Sequence, residues 1–173
     1  MTAPPQHKGR FNVVVFASFS VISTSATLTT VAIVLLASDL AALRQELRDM
    51  LESAEIEIEE ASSGPEVMAR VREGDIDLVV ADLQMGSMGA MAICLELRHE
   101  ESYGACDPVA VLMLLDRRAD VFLARRSGAE GFVVKPLQPL IVRQAVRALL
   151  QGDDYEDDTW RPTTVRVGAP NAE

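Results

Sequence analysis

Ile76-Asp-Leu-Val-Val-Ala-Asp82, followed by Leu83-Gln-Met-Gly-Ser-Met88, is the stretch on which the fold turns. A short, nearly continuous apolar run suits a parallel strand covered on both faces, and this one stops on a carboxylate followed by a loop that carries Gly86 and Ser87. Working outward, Val31–Ala37, Val109–Leu115 and Phe132–Val134 are runs of the same kind. Glu55-Ile-Glu-Ile-Glu59 alternates strictly instead, as a half-exposed strand near a sheet edge does. Helical spacings lie between the runs: Leu40, Leu43, Leu47 and Leu51; Val67, Met68 and Val71 after Pro65; Met88, Met91, Ala92 and Leu95; Val121, Phe122 and Ala124 before Gly128; Val142, Ala145, Val146 and Leu149. Five β-α units in about 120 residues predict an α/β fold with a doubly wound, five-stranded parallel sheet, its crossovers right-handed. The usual order for five units is 2-1-3-4-5, with the ligand site outside the carboxyl ends of the strands.

The residues just past those ends are therefore the candidates for chemistry. Ser38-Asp39 follows the first run, Asp82 the third, Leu115-Asp116 the fourth and Lys135-Pro136 the fifth. In this topology Asp39, Asp82 and Lys135 converge. Two close carboxylates need a cation between them, and Mg2+ suits a site of hard oxygen ligands that leaves room for water. A carboxylate beside magnesium and a lysine can attack an activated phosphoryl group, because the cations offset charge on the transferring oxygens. Each residue also has a plainer reading. Asp39 could be a helix N-cap, Asp82 a turn residue, and Lys135 one half of an ordinary loop pair. The coincidence of all three at strand ends weighs against those readings. No G-x-G-x-x-G follows the first strand and no Walker A motif occurs. The glycine-free loop Ser38-Asp-Leu-Ala-Ala42 argues against a flavin-binding, flavodoxin-type enzyme.

With these residues in place, Val31 to about Leu150 resembles the receiver domain of two-component response regulators, the flavodoxin-like fold of single-domain chemotaxis regulators. The resemblance rests on the acidic residue after the first strand, Asp77-Leu-Val-Val-Ala-Asp82 with its Met-Gly-Ser-Met loop, Gly128-Ala-Glu-Gly-Phe132, and Lys135-Pro136. Leu114 to Gly128 also looks like actinobacterial members. The resemblance implies a phosphoacceptor at Asp82. It also implies magnesium held by Asp39, Asp82 and the backbone carbonyl of Gln84, Lys135 paired with the phosphoryl oxygens, and a cis Lys135–Pro136 bond. Leu115 and Phe132 fall at the family's two switch positions. There are two departures. Ser38 stands where the family usually has a second acidic residue, which should weaken magnesium binding. Leu115 stands where a Ser or Thr donates a hydrogen bond to the phosphoryl group, which should weaken the conformational relay.

The composition agrees with a single globular domain: 173 residues, 49% hydrophobic and 24% charged. The net charge of −10 disfavours nucleic acid and anionic headgroups as partners. Cys94 and Cys106 are too few for a disulfide framework and lack zinc spacing, so they read as reduced cytosolic thiols. His7 and His99 are lone surface histidines. Residues 1–27 form an apolar, Ser/Thr-rich extension. From Phe11 to Ser38 no residue is charged, yet nine of these 28 are Ser or Thr and no clear A-x-A site occurs, so a signal peptide or membrane anchor competes with a translation start at Leu28. Residues 28–150 would be the receiver. Residues 151–173, with the acidic run Asp153–Asp158, read as a disordered tail in which Trp160 is the odd residue.

After Leu150 only 23 residues remain, too few for a helix-turn-helix output domain. The expected function is thus a stand-alone cytoplasmic response regulator, a phosphoprotein and not an enzyme beyond slow self-dephosphorylation. It would take its phosphoryl group from a sensor histidine kinase or phosphotransfer protein and relay the signal to a downstream protein target, with Arg125, Arg126, Arg143 and Arg147 as candidate contacts. The alternative is a pseudo-receiver, an interaction module working without phosphorylation.

Overall fold

In the computed structural model, residues 31–159 are described. Six strands and five helices alternate along them: β1 (Ala32–Ala37), α1 (Ala41–Leu51), β2 (Ile56–Ala61), α2 (Gly64–Glu73), β3 (Leu78–Asp82), α3 (Ala90–Ser102), β4 (Ala110–Leu115), α4 (Val121–Ser127), β5 (Gly131–Val134), α5 (Pro139–Leu150) and β6 (Tyr155–Glu156). The sheet runs β2-β1-β3-β4-β5-β6, and every neighbouring pair is parallel. The expected five-strand order is present, with one strand more.

The sheet separates two apolar layers, and the period-2 geometry of a strand divides its residues between them. On β3, Val79 and Ala81 face a layer closed by α2, α3 and α4, while Leu78 and Val80 face one closed by α1 and α5. All five β3 residues are buried, which is why this strand reads as an unbroken apolar run. The edge strand β2 alternates for a different reason. Glu59 pairs with Arg70 of α2 on one face, while Glu60 pairs with Arg44 and Arg48 of α1 on the other.

Three sequence expectations shift. On α3 the buried apolar set is Ala90, Ile93, Cys94 and Leu97, whereas Leu95 is 46% exposed and Met88 precedes the helix. Apolar residues surround this helix on nearly every side, so the largest of them did not mark its inner face. Leu40 and Phe122 are exposed rather than core; Leu40 is the residue before α1 and not part of its stripe.

The third concerns the acidic run. Residues 153–158 were expected to form a disordered tail after a receiver ending at 150, yet Tyr155–Glu156 is a strand and Asp157 is buried. Composition missed this because it counts charges without asking what they bind. The outer edge of β5 presents backbone donors that require acceptors, and Asp157 Oδ2 takes the Val134 N–H at 3.1 Å. The expectations for residues 1–27 and for Trp160 lie outside the described residues.

Candidate functional site

Parallel pairing brings the strand ends to one edge. The register Ala37↔Ala81 sets Ser38 level with Asp82, and Leu115↔Val134 sets Asp116 level with Lys135. Asp82 is the centre of the cluster and only 1% exposed. A carboxylate that has lost its water must recover those hydrogen bonds from protein. Its Oδ1 accepts from Lys135 Nζ at 2.8 Å and from the Gln84 N–H at 3.3 Å. Its Oδ2 accepts from the Ser38 hydroxyl at 3.2 Å. Ser38 Oγ in turn accepts the Leu40 N–H at 3.1 Å, which fixes the loop into α1.

Asp39 does not cap α1. Its side chain is exposed and reaches across to the opposite loop, where Oδ2 accepts the Gly86 N–H at 3.0 Å. Lys135 sits between two carboxylates, Asp82 and Asp116, the latter at 3.0 Å. Partial burial works against its ammonium, but the hydrogen bonds to Asp82 and Asp116 outweigh this and hold its pKa above the ordinary lysine value. The Lys135–Pro136 bond is cis. Leu115 and Phe132 are both buried in the layer under α2, α3 and α4, at 0% and 3% exposure. The Leu115 carbonyl accepts the Lys135 N–H at 2.8 Å.

Asp39, Asp82 and Lys135 thus come to one edge of the sheet, with Gln84 in the loop beside them. Asp116 was not singled out from the sequence as part of this group. The signal was present, because Asp116 directly follows β4 just as Lys135 follows β5. Its significance depends on a register that sequence alone does not give.

The donor chemistry fits magnesium. Two carboxylates and a peptide carbonyl are hard oxygen ligands, and Mg2+ is commonly held by one or two carboxylates together with waters and phosphate oxygens. Among the described residues no group of three or more His, Cys, Asp or Glu side chains forms a fuller metal cage.

The loop after Asp82 is held by Gly89. A Cβ there would press deep into the Leu83 carbonyl, which is backbone and cannot swing away. Gly89→Ala should therefore cost about 1–3 kcal/mol and displace the Gln84–Gly86 segment. Urea unfolding and the amide shifts of Gln84 and Gly86 check this; a neutral substitution with unmoved shifts would refute it.

A buried carboxylate at the end of the third strand, a lysine after the fifth and an acidic residue after the first form the arrangement that the receiver resemblance implies. The profile of the response regulator receiver domain family matches residues 34–158, and the chain belongs to that family. It is similar to the transcriptional regulatory protein ResD of Bacillus subtilis, 30% identical over 118 residues, covering 68% of this chain and 48% of that protein. It is also similar to the DNA-binding response regulator MtrA of Mycobacterium tuberculosis, 29% identical over 123 residues, covering 71% of this chain and 52% of the relative. The chain spans about half the length of these curated relatives. Among solved structures it resembles the chemotaxis response regulator CheY4 of Vibrio cholerae, with a TM-score of 0.61, 25% identity, and coverage of 69% of this chain and 99% of that one. The protein is thus the receiver domain of a two-component response regulator. No helix among the described residues is long and apolar enough to cross a membrane.

Proposed function

We propose that Asp82 accepts a phosphoryl group from the phosphohistidine of a sensor histidine kinase or phosphotransfer protein, and that the chain relays the signal by contact with a downstream protein. The observation that carries this reading is the pairing of the buried Asp82 carboxylate with the Lys135 ammonium at 2.8 Å, at the mouth of the sheet. An Asp82 oxygen forms the new P–O bond as the P–N bond to the donor imidazole breaks, and the electron pair leaves with the ring nitrogen. Lys135 transfers its hydrogen bond from Asp82 to a phosphoryl oxygen, while Asp116 keeps the ammonium in place. Asp39, Asp82 and the Gln84 carbonyl would hold Mg2+, which supplies charge neutralisation at the transferring oxygens. The product is an acyl phosphate, returned to the carboxylate by slow hydrolysis. The setting we infer is cytoplasmic, with the receiver acting through protein contacts rather than nucleic acid.

The test is intact mass of the full chain after incubation with a small phosphodonor, with and without magnesium, beside Asp82→Asn. The expected result is a magnesium-dependent gain of one phosphoryl group that the substitution abolishes. Gain by Asp82→Asn, or none by the folded wild type, would overturn the assignment.

One feature favours the pseudo-receiver as the second reading. The Ser38 hydroxyl bonds Asp82 Oδ2 at 3.2 Å, at a position where a carboxylate would otherwise strengthen metal binding. No mass gain in a folded chain would select that reading.

A further inference from the structure

The β5 edge is covered by the chain's own C-terminal segment. After α5 the chain turns through Gly152, in a left-handed conformation at φ 84°, and lays Tyr155–Glu156 beside Gly131–Phe132. The Tyr155 N–H donates to the Glu130 carbonyl at 2.9 Å and the Asp157 N–H to the Phe132 carbonyl at 3.2 Å. Two carboxylates complete the attachment. Asp157 Oδ2 takes the Val134 N–H, while its Oδ1 accepts from the Thr159 N–H and hydroxyl at 2.8 and 2.6 Å. Glu156 receives the Arg125 guanidinium of α4 through both oxygens, at 2.9 and 2.6 Å. The contacts of this segment spell out what the edge recognises: an extended backbone carrying one carboxylate for Arg125 and, on the next residue, another for the Val134 amide.

Two further observations bear on how firmly it sits. The strand is two residues long, and of Tyr155–Thr159 only Asp157 is buried while Glu156, Asp158 and Thr159 are exposed, so the one buried anchor that opposes local opening is the Asp157 carboxylate. One turn back along α4 from Arg125, Phe122 is 62% exposed. A sheet edge with unpaired donors and acceptors is a template for strand addition, with main-chain bonds giving affinity and side-chain sites giving specificity.

We propose that Tyr155–Thr159 is a cis-acting plug on a strand-addition site, and that a partner protein takes the site with an extended acidic segment that displaces it. The plug mimics the ligand, so the edge stays closed to flat pairing with other strands until a competing segment arrives. The proposal does not depend on phosphorylation of Asp82.

The test uses the full chain and a labelled peptide with the sequence of residues 153–159. Asp157→Ala removes the carboxylate that anchors the plug, so this variant should bind the peptide about tenfold more tightly than wild type, as for a site competent on the order of 10% of the time in the wild-type chain. Adding Arg125→Ala, or changing the peptide's own Asp157→Asn, should abolish the gain. Equal binding by wild type and variant, or binding indifferent to the peptide's Asp157, would overturn the proposal. Amide exchange on the wild-type chain tests it without any variant. The Tyr155, Asp157 and Val134 amides should exchange through local opening, well ahead of core amides such as Val80; exchange in step with the core would refute a displaceable plug. Sedimentation provides a third check, and a stable dimer formed by exchange of the plug would replace the partner protein with a second copy.

Discussion

Lys135→Ala should destabilise the protein by about 3 kcal/mol, the low end for removing one partner of a buried ion pair. The low end applies because the Lys135 side chain is 22% exposed while that of Asp82 is 1% exposed. Without the ammonium, the Asp82 carboxylate remains buried with only the Ser38 hydroxyl and the Gln84 N–H as donors, and Asp116 faces it with no cation between them. Asp116→Asn should cost at most about 1 kcal/mol, since that carboxylate is 34% exposed and water can replace its partner. Urea unfolding at constant m-value separates the two, and equal losses would contradict the asymmetry.

The same pair makes a pH prediction. The pKa of Lys135 is raised in the folded chain, so the folded state holds this proton more tightly than the unfolded state. The resulting stabilisation is complete below the ordinary lysine value of about 10.4 and is lost as pH rises through the higher folded value. Wild type should therefore lose more stability across that alkaline window than Lys135→Ala does. Parallel decline of the two would show that the ammonium is not stabilised by folding.

Leu112→Ala is expected to cost about 3–4 kcal/mol, within the range for buried leucine truncations. Leu112 is 0% exposed at the middle of β4, in the layer closed by α1 and α5. It lies opposite Gly131 in the register and occupies space over that glycine: a Cβ on Gly131 would come within 3.2 Å of Leu112 Cδ1 and 2.9 Å of both Leu149 Cδ1 and the Tyr155 carbonyl. Gly131→Ala alone should thus overpack the layer and loosen β6. In the double variant the Leu112 clash disappears, so the two costs should sum to more than the combined loss. Thermal or urea unfolding of all four proteins tests this, and strict additivity would mean that Leu112 and Gly131 do not share the space.

Much of this protein was legible in its sequence because period and position carry the information. The buried β3 run, the alternating β2 and the apolar stripes of α2 and α5 each match their burial, since the 2.0 and 3.6 repeats are local properties of the backbone. Asp39, Asp82 and Lys135 were identifiable because topology places the ends of parallel strands together, and topology follows from the order of the elements. What tertiary structure decided were the pairings across that edge. Asp39 bonds to the Gly86 amide instead of capping α1, Ser38 holds Asp82, and Asp116 shares Lys135. The acidic segment, polar enough to suggest solvent, became the sixth strand because the β5 edge offers donors and Arg125 offers charge. Local sequence fixes which conformation a segment favours; which unsatisfied group it meets depends on residues distant in the chain, and only the folded register sets that distance.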